Sequence, residues 1–85
     1  MATQHVLHEN WSDYDDRKRR AGTDATHFSC TETWERDYLV KKIQQTHPSV
    51  SDTAARRAIE SCCNAVPAPR PREKFVACVM KALGY

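Results

Sequence analysis

The fold is decided by the stretch TETWERDYLVKKIQQ, residues 31–45, in which apolar side chains recur at helical spacing. Four of them form one broad apolar face of a helix: Trp34, Tyr38, Leu39 and Ile43. Pro48 disfavours helical geometry at the residue before it and ends the segment. The pattern therefore predicts an amphipathic helix over about residues 31–45.

Two further amphipathic segments follow, over about residues 52–64 and 71–83. Ser51 suits the N-cap of the first, and Pro71 suits the first turn of the second because an N–H there would be unpaired. The predicted core joins the three helices through these residues: Trp34, Tyr38, Leu39, Ile43, Ala55, Ile59, Cys62, Phe75, Val79 and Leu83. The sequence therefore predicts an all-α fold, a compact three-helix bundle.

The N-terminal part of the chain is polar and lacks sustained apolar periodicity. We predict that residues 1–28 form a flexible, mostly disordered arm and that residues 29–85 form the domain. A short helix around residues 11–21 is the alternative. Ser29 and Glu32 have the spacing of a capping box at the start of the first predicted helix. On this interpretation, deletion of residues 1–26 leaves the cooperative unfolding transition intact.

Charge and hydropathy limit the class of protein. The chain has 85 residues and a formal net charge of +2, which is too weak to indicate nucleic-acid binding by itself. It contains no signal peptide pattern, and no stretch approaches the roughly 20 apolar residues of a membrane span. We predict a cytoplasmic protein with reduced thiols and no membrane association.

The run from Arg17 to Gly84 resembles a family of small bacterial proteins known only as a domain of unknown function. The pattern is carried by Gly22, Asp24, Trp34-Glu35, Tyr38-Leu39, Lys41-Lys42, Ala58-Ile59 and Leu83-Gly84. The chain departs from it in the Cys62-Cys63 pair and in the proline-rich linker before the last helix. The resemblance implies a compact helical fold in a bacterial cytoplasm, and it implies no activity.

Catalytic and metal chemistry find little support in the sequence, and we predict a non-enzyme without a cofactor. The four cysteines (Cys30, Cys62, Cys63 and Cys78) include no C-x-x-C motif. A zinc site formed by His27 with Cys30, Cys62 and Cys78 is conceivable, but Cys62 and Cys78 are better interpreted as small core residues. A disulfide from Cys78 to Cys62 or to Cys63 remains open, although a reducing compartment argues against a permanent one.

Two binding functions remain, and protein interaction is the one we predict. The linker AVPAPRPR offers a strip that an aromatic groove could grip, with candidate contacts at Pro67, Pro69, Arg70 and Pro71. Surplus apolar area on the Trp34/Tyr38 face or the Phe75/Val79 stripe would mark an unknown protein partner or self-association. The alternative is nucleic-acid binding through basic residues, with candidate contacts at Lys41, Lys42, Arg56, Arg57, Arg70, Arg72 and Lys74.

Overall fold

The computed structural model of the chain describes residues 6–85. Its elements, in order, are α1 (Ser12–Arg20), β1 (His27–Phe28), α2 (Thr33–Thr46), α3 (Asp52–Ala65), β2 (Arg70–Pro71) and α4 (Arg72–Ala82). The mostly helical architecture predicted from the sequence is confirmed. The three-helix count is wrong, because α1 adds a fourth helix within the described residues and β1 pairs with β2.

The last three helices lie where apolar periodicity places them. The ends of α2, α3 and α4 differ from the predicted ends by at most two residues. Ser51 caps α3 as expected, its side chain accepting a hydrogen bond from the N–H of Ala54 (3.1 Å). Seven of the ten predicted core residues are buried, and the exceptions Trp34, Tyr38 and Leu83 are half-buried and pack against the core.

The prediction of a mostly disordered arm is wrong for residues 6–28, whereas residues 1–5 lie outside the described part of the chain. Helix α1 has Asp13 and Asp15 in its first turn and basic side chains in its last, an order that the helix dipole favours. Trp11 and Tyr14 are buried in the same core as α2 and α4. Their burial supplies the packing energy that a nine-residue helix lacks by itself.

A short antiparallel ladder ties the segment after α1 to the segment before α4. His27 pairs with Pro71 and Phe28 with Arg70, and the Phe28 ring stacks on Phe75 with centroids 4.4 Å apart. Helix α2 begins at Thr33 without a side-chain cap, so the predicted capping box of Ser29 and Glu32 is wrong. The N–H of Ser29 instead donates to the buried Glu35 carboxylate (3.0 Å).

All four cysteines are paired, so the prediction of reduced thiols is wrong. Cys30 bonds Cys63, and Cys62 bonds Cys78. Side chains of adjacent residues on a helix point in directions about 100° apart. Cys63 therefore reaches Cys30 in the loop before α2, whereas Cys62 reaches Cys78 of α4. Helix α3 is covalently bonded to both this loop and α4. A core this small is only marginally stable, and disulfides add stability to the folded state.

No helix within residues 6–85 is long and apolar enough to cross a membrane.

Candidate functional site

A buried ion pair joins α1 to α2. The Nζ of Lys18 donates to Oε1 of Glu35 (3.0 Å), and both side chains are only 3 % exposed. The Lys18 ammonium also donates to the carbonyl oxygen of His27. Glu35 accepts further hydrogen bonds from the Tyr14 hydroxyl (2.6 Å) and from the N–H of Ser29 (3.0 Å). These partners compensate the cost of removing both charges from water.

The Tyr14 hydroxyl is held in its neutral form. Burial raises the pKa of Tyr14 well above its usual value, and the adjacent Glu35 carboxylate raises it further by hydrogen bonding and charge. A phenol in this state donates a hydrogen bond and does not act as a base at neutral pH. The buried network of Tyr14, Lys18 and Glu35 therefore serves to fix α1 against α2.

Three aromatic rings pack around Tyr14 at the junction of these two helices. Tyr14 lies 5.2 Å from Trp11, 5.3 Å from Trp34 and 5.4 Å from Tyr38, measured between ring centroids. The guanidinium of Arg72 covers the Trp11 ring at 4.7 Å and pairs with the carboxylate of Asp15 at 2.9 Å. Tyr14 and Trp11 are buried, but the outer two rings remain half-buried and reach the surface.

The half-buried rings form the wall of an open groove between α1 and α2. The groove has a volume of about 300 Å³ and is lined by Arg17, Trp34, Asp37, Tyr38 and Lys41. The Arg17 guanidinium lies 4.3 Å from the centroid of the Trp34 ring, which it flanks with positive charge. The carboxylate of Asp37 is paired with Arg56 of α3 at 2.8 Å. Arg17 and Lys41 therefore give the groove a net positive charge.

Several basic residues predicted to bind nucleic acid have partners within the protein. Arg56 pairs with Asp37 and Asp52, and hydrogen bonds to these carboxylates raise the pKa of its guanidinium. Lys42 is 8 % exposed, with its ammonium 5.2 Å from the Tyr38 ring. The remaining candidates are Arg70 and Arg72, which bond other groups of the protein, and Lys41, Arg57 and Lys74, which are exposed on three different helices.

The proline-rich strip predicted to bind a protein groove is held by the fold. Pro67 and Pro69 are exposed, but the chain bends between Val66 and Pro69. Pro71 belongs to β2 and is half-buried. Arg70 turns back to donate to the carbonyl oxygens of Val66 (2.7 Å) and Cys63 (3.0 Å). This arginine caps the C-terminal end of α3.

Metal and thiol sites are limited by the disulfides. No group of three or more His, Cys, Asp and Glu side chains within residues 6–85 is placed to hold a metal ion. All three cysteines of the conceivable zinc site are in disulfides, Cys62 with Cys78 and Cys30 with Cys63. His27 pairs with Asp24 through Nδ1 (3.0 Å). Hydrogen bonds from the side chain and N–H of Thr26 hold the pKa of the Asp24 carboxyl at about 2.

Sequence reasoning missed the groove because it treated residues 1–28 as an arm. One signal pointed to it: Trp11, Tyr14 and Lys18 are three and four residues apart, which places them on one face of a helix. The inward orientation of Glu35 had no such signal, since a charged residue is rarely buried without a partner and Lys18 is distant in sequence.

No family model matches the chain, and comparisons with curated proteins and with solved structures found no match. The family resemblance described above therefore stays a prediction.

Proposed function

We propose that this chain is a small non-catalytic interaction module that binds a protein partner through the groove between α1 and α2. The observation that carries the proposal is that the two predicted apolar surfaces, the Trp34/Tyr38 face and the Phe75/Val79 stripe, differ in burial. Phe75 and Val79 are fully buried, whereas Trp34 and Tyr38 stay half-buried at the surface. An amphipathic aromatic side chain at the surface favours a protein partner, because its apolar face and polar edge can both be used.

The charge of the groove favours an acidic partner segment. Arg17 and Lys41 border the two rings, and the carboxylate of Asp37 is already neutralised by Arg56. A segment that places an apolar side chain between the rings and a carboxylate beside each cation would match both features.

The open shape of the groove supports a binding role over an enzymatic one. Its ionisable groups lie at the surface, whereas the ionisable network of Lys18 and Glu35 is buried and has internal partners. General acid–base catalysis requires a proton-transferring group within reach of a bound substrate. Lys18 and Glu35 line a cleft of about 150 Å³, but both are held there by hydrogen bonds within the protein.

The basic residues give nucleic-acid binding less support. Four of the seven candidates have internal partners or are buried: Lys42, Arg56, Arg70 and Arg72. The remaining three lie on α2, α3 and α4. A phosphate backbone would meet scattered charges there, each worth little once acidic neighbours are counted.

The disulfides also bear on location. The cytoplasmic prediction rested on the absence of a signal-peptide pattern, and reduced thiols were expected as its consequence. The pairing of all four cysteines does not agree with that consequence. We therefore propose an oxidising compartment as the working environment.

Selection of short displayed peptides on the disulfide-bonded protein tests the proposal. We expect the selected peptides to combine acidic residues with an apolar side chain. Calorimetric titration should then show binding weakened about tenfold by Lys41→Glu, because this substitution reverses a charge at the groove. The matched control is Arg57→Glu, an equal charge reversal on the exposed side of α3, which should change the affinity less than about twofold.

Two results would refute the proposal. One is the absence of any peptide whose binding depends on Lys41. The other is selection of duplex DNA over peptides at low salt, with equal losses on substitution of Lys41 and Arg57, as delocalised phosphate contacts would give.

A further inference from the structure

The two disulfides differ in how deeply their cysteine residues are buried. Cys62 is 1 % exposed in the core between α3 and α4, so its bridge has one enclosed end, although Cys78 is half-buried. Cys30 and Cys63 are both half-buried. Cys30 also lines an open cleft of about 300 Å³, together with residues of β1 and β2. An attacking thiolate therefore has access to Cys30 from solvent.

Positive charge lies beside the other sulfur of the same bridge. Nη2 of Arg36 is 3.9 Å from Sγ of Cys63 and donates to it. Arg70 donates to the carbonyl oxygen of Cys63, which offsets the negative end of the α3 dipole close to this residue. Glu60 pairs with Arg36 at 3.0 Å and reduces part of the positive field. A thiolate formed at Cys63 would gain a charge-assisted hydrogen bond from Arg36.

We propose that Cys30–Cys63 is a thiol–disulfide exchange site for a dithiol reductant, and that Cys62–Cys78 is a structural bridge. One thiolate of the reductant attacks Sγ of Cys30 and forms a mixed disulfide with it. The Cys30–Cys63 bond breaks, and its electron pair leaves with Cys63 as a thiolate beside Arg36. The second thiolate of the reductant attacks the reductant's own sulfur in the mixed disulfide. Cys30 is released as a thiolate, which is then protonated, and the reductant departs as a disulfide.

The geometry assigns a separate role to each end of the bond. The cleft opens beside Cys30, whose sulfur is attacked, and the Arg36 guanidinium stabilises the Cys63 sulfur that leaves. A leaving thiol of lower pKa leaves faster, so both features act in the same direction. The product keeps α3 joined to α4 through Cys62–Cys78 and frees the loop that precedes α2. This proposal does not depend on the groove or on its partner.

Reduction kinetics of the native protein test the assignment. The folded, oxidised chain is treated with dithiothreitol, quenched with acid, alkylated and mapped by mass spectrometry. We expect Cys30 and Cys63 to be alkylated at least about tenfold faster than Cys62 and Cys78. Equal rates for the two bridges, or earlier opening of Cys62–Cys78, would overturn the proposal.

Two substitutions separate charge from stability. Arg36→Gln and Glu60→Gln both break the Arg36–Glu60 pair, but they change the charge beside Cys63 in opposite directions. We expect Arg36→Gln to slow reduction of Cys30–Cys63 several-fold and Glu60→Gln to accelerate it, with Arg57→Gln as a neutral control. If both substitutions changed the rate in the same direction, loosening of the fold would explain the result and the role of Arg36 would be disproved.

Discussion

Glu35 is the acceptor that organises the polar part of the core. Its Oε1 takes hydrogen bonds from Lys18, Tyr14 and the N–H of Ser29, so three segments of the chain meet at one atom. We predict that Glu35→Ala lowers the free energy of unfolding by about 3–5 kcal/mol, because it leaves the Lys18 ammonium buried without its counter-charge. Urea unfolding at neutral pH measures the change.

A double substitution distinguishes this cause from simple loss of packing. In Lys18→Met/Glu35→Leu both charges are replaced by apolar side chains, and we expect a loss much smaller than that of Glu35→Ala. Thr33→Ala, on the exposed side of the same helix, serves as the surface control. A double variant as unstable as the single one would show that the lost ion pair and the lost hydrogen bonds of Tyr14 and Ser29 to Glu35, and not the abandoned charge, dominate.

The exposed Asp24 gives a testable pH dependence. Hydrogen bonds from Thr26 lower the pKa of its carboxyl from 3.8 to about 2 in the folded state. A group whose pKa falls on folding stabilises the protein above its unfolded pKa, and that contribution disappears as the pH drops through the folded pKa. The difference in melting temperature between the wild type and Asp24→Asn should therefore be greatest above about pH 4 and disappear as the pH falls below about 2. A difference that stays constant over this range would contradict the prediction.

The helices themselves depend on how their ends are satisfied. The last turn of α3 is capped by Arg70, whose guanidinium bonds the carbonyl oxygens of Val66 and Cys63. We predict that Arg70→Ala destabilises the protein by about 1–2 kcal/mol, since it removes two hydrogen bonds from a charged donor at the negative end of a helix. Denaturant unfolding of this variant and of Lys74→Ala, an exposed control on α4, tests the cap. An equal loss of unfolding free energy in the two variants would show that the hydrogen bonds of Arg70 contribute no more to stability than an exposed side chain does.

The sequence predicts the elements that carry their own apolar pattern, and it misses the elements that are stabilised mainly by tertiary contacts. Helices α2, α3 and α4 each carry an apolar face of their own. Pro48 marks the end of α2 and Ser51 the start of α3, so the sequence predicts these helices. Helix α1 has one buried aromatic and one buried lysine among charged residues. Its stabilising contacts are with α2 and α4. The two-residue strands have no sequence pattern at all. The groove could not be predicted from the sequence pattern either, because α1 forms one of its sides.

At the scale of the whole molecule, the N-terminal segment completes the core. Deletion of residues 1–26 removes Trp11, Tyr14 and Lys18, and it leaves Glu35 without two of its three donors. We now predict that this deletion abolishes the cooperative thermal transition or lowers its midpoint by more than 10 °C, roughly the effect of losing a few kcal/mol in a domain of this size. Circular dichroism and calorimetry provide the measurement. An unchanged transition would restore the original division of the chain at residue 28.

The neighbouring positions of Cys62 and Cys63 have a consequence for proteolysis. The two bridges overlap along the chain, one running from Cys30 to Cys63 and the other from Cys62 to Cys78. Every peptide bond between Cys30 and Cys78 is therefore enclosed by at least one covalent ring. A protease that hydrolyses a single bond in the turn after α2 or in the bend after α3 would release no fragment. Its cut would become visible on a gel only after a reducing agent had opened the ring.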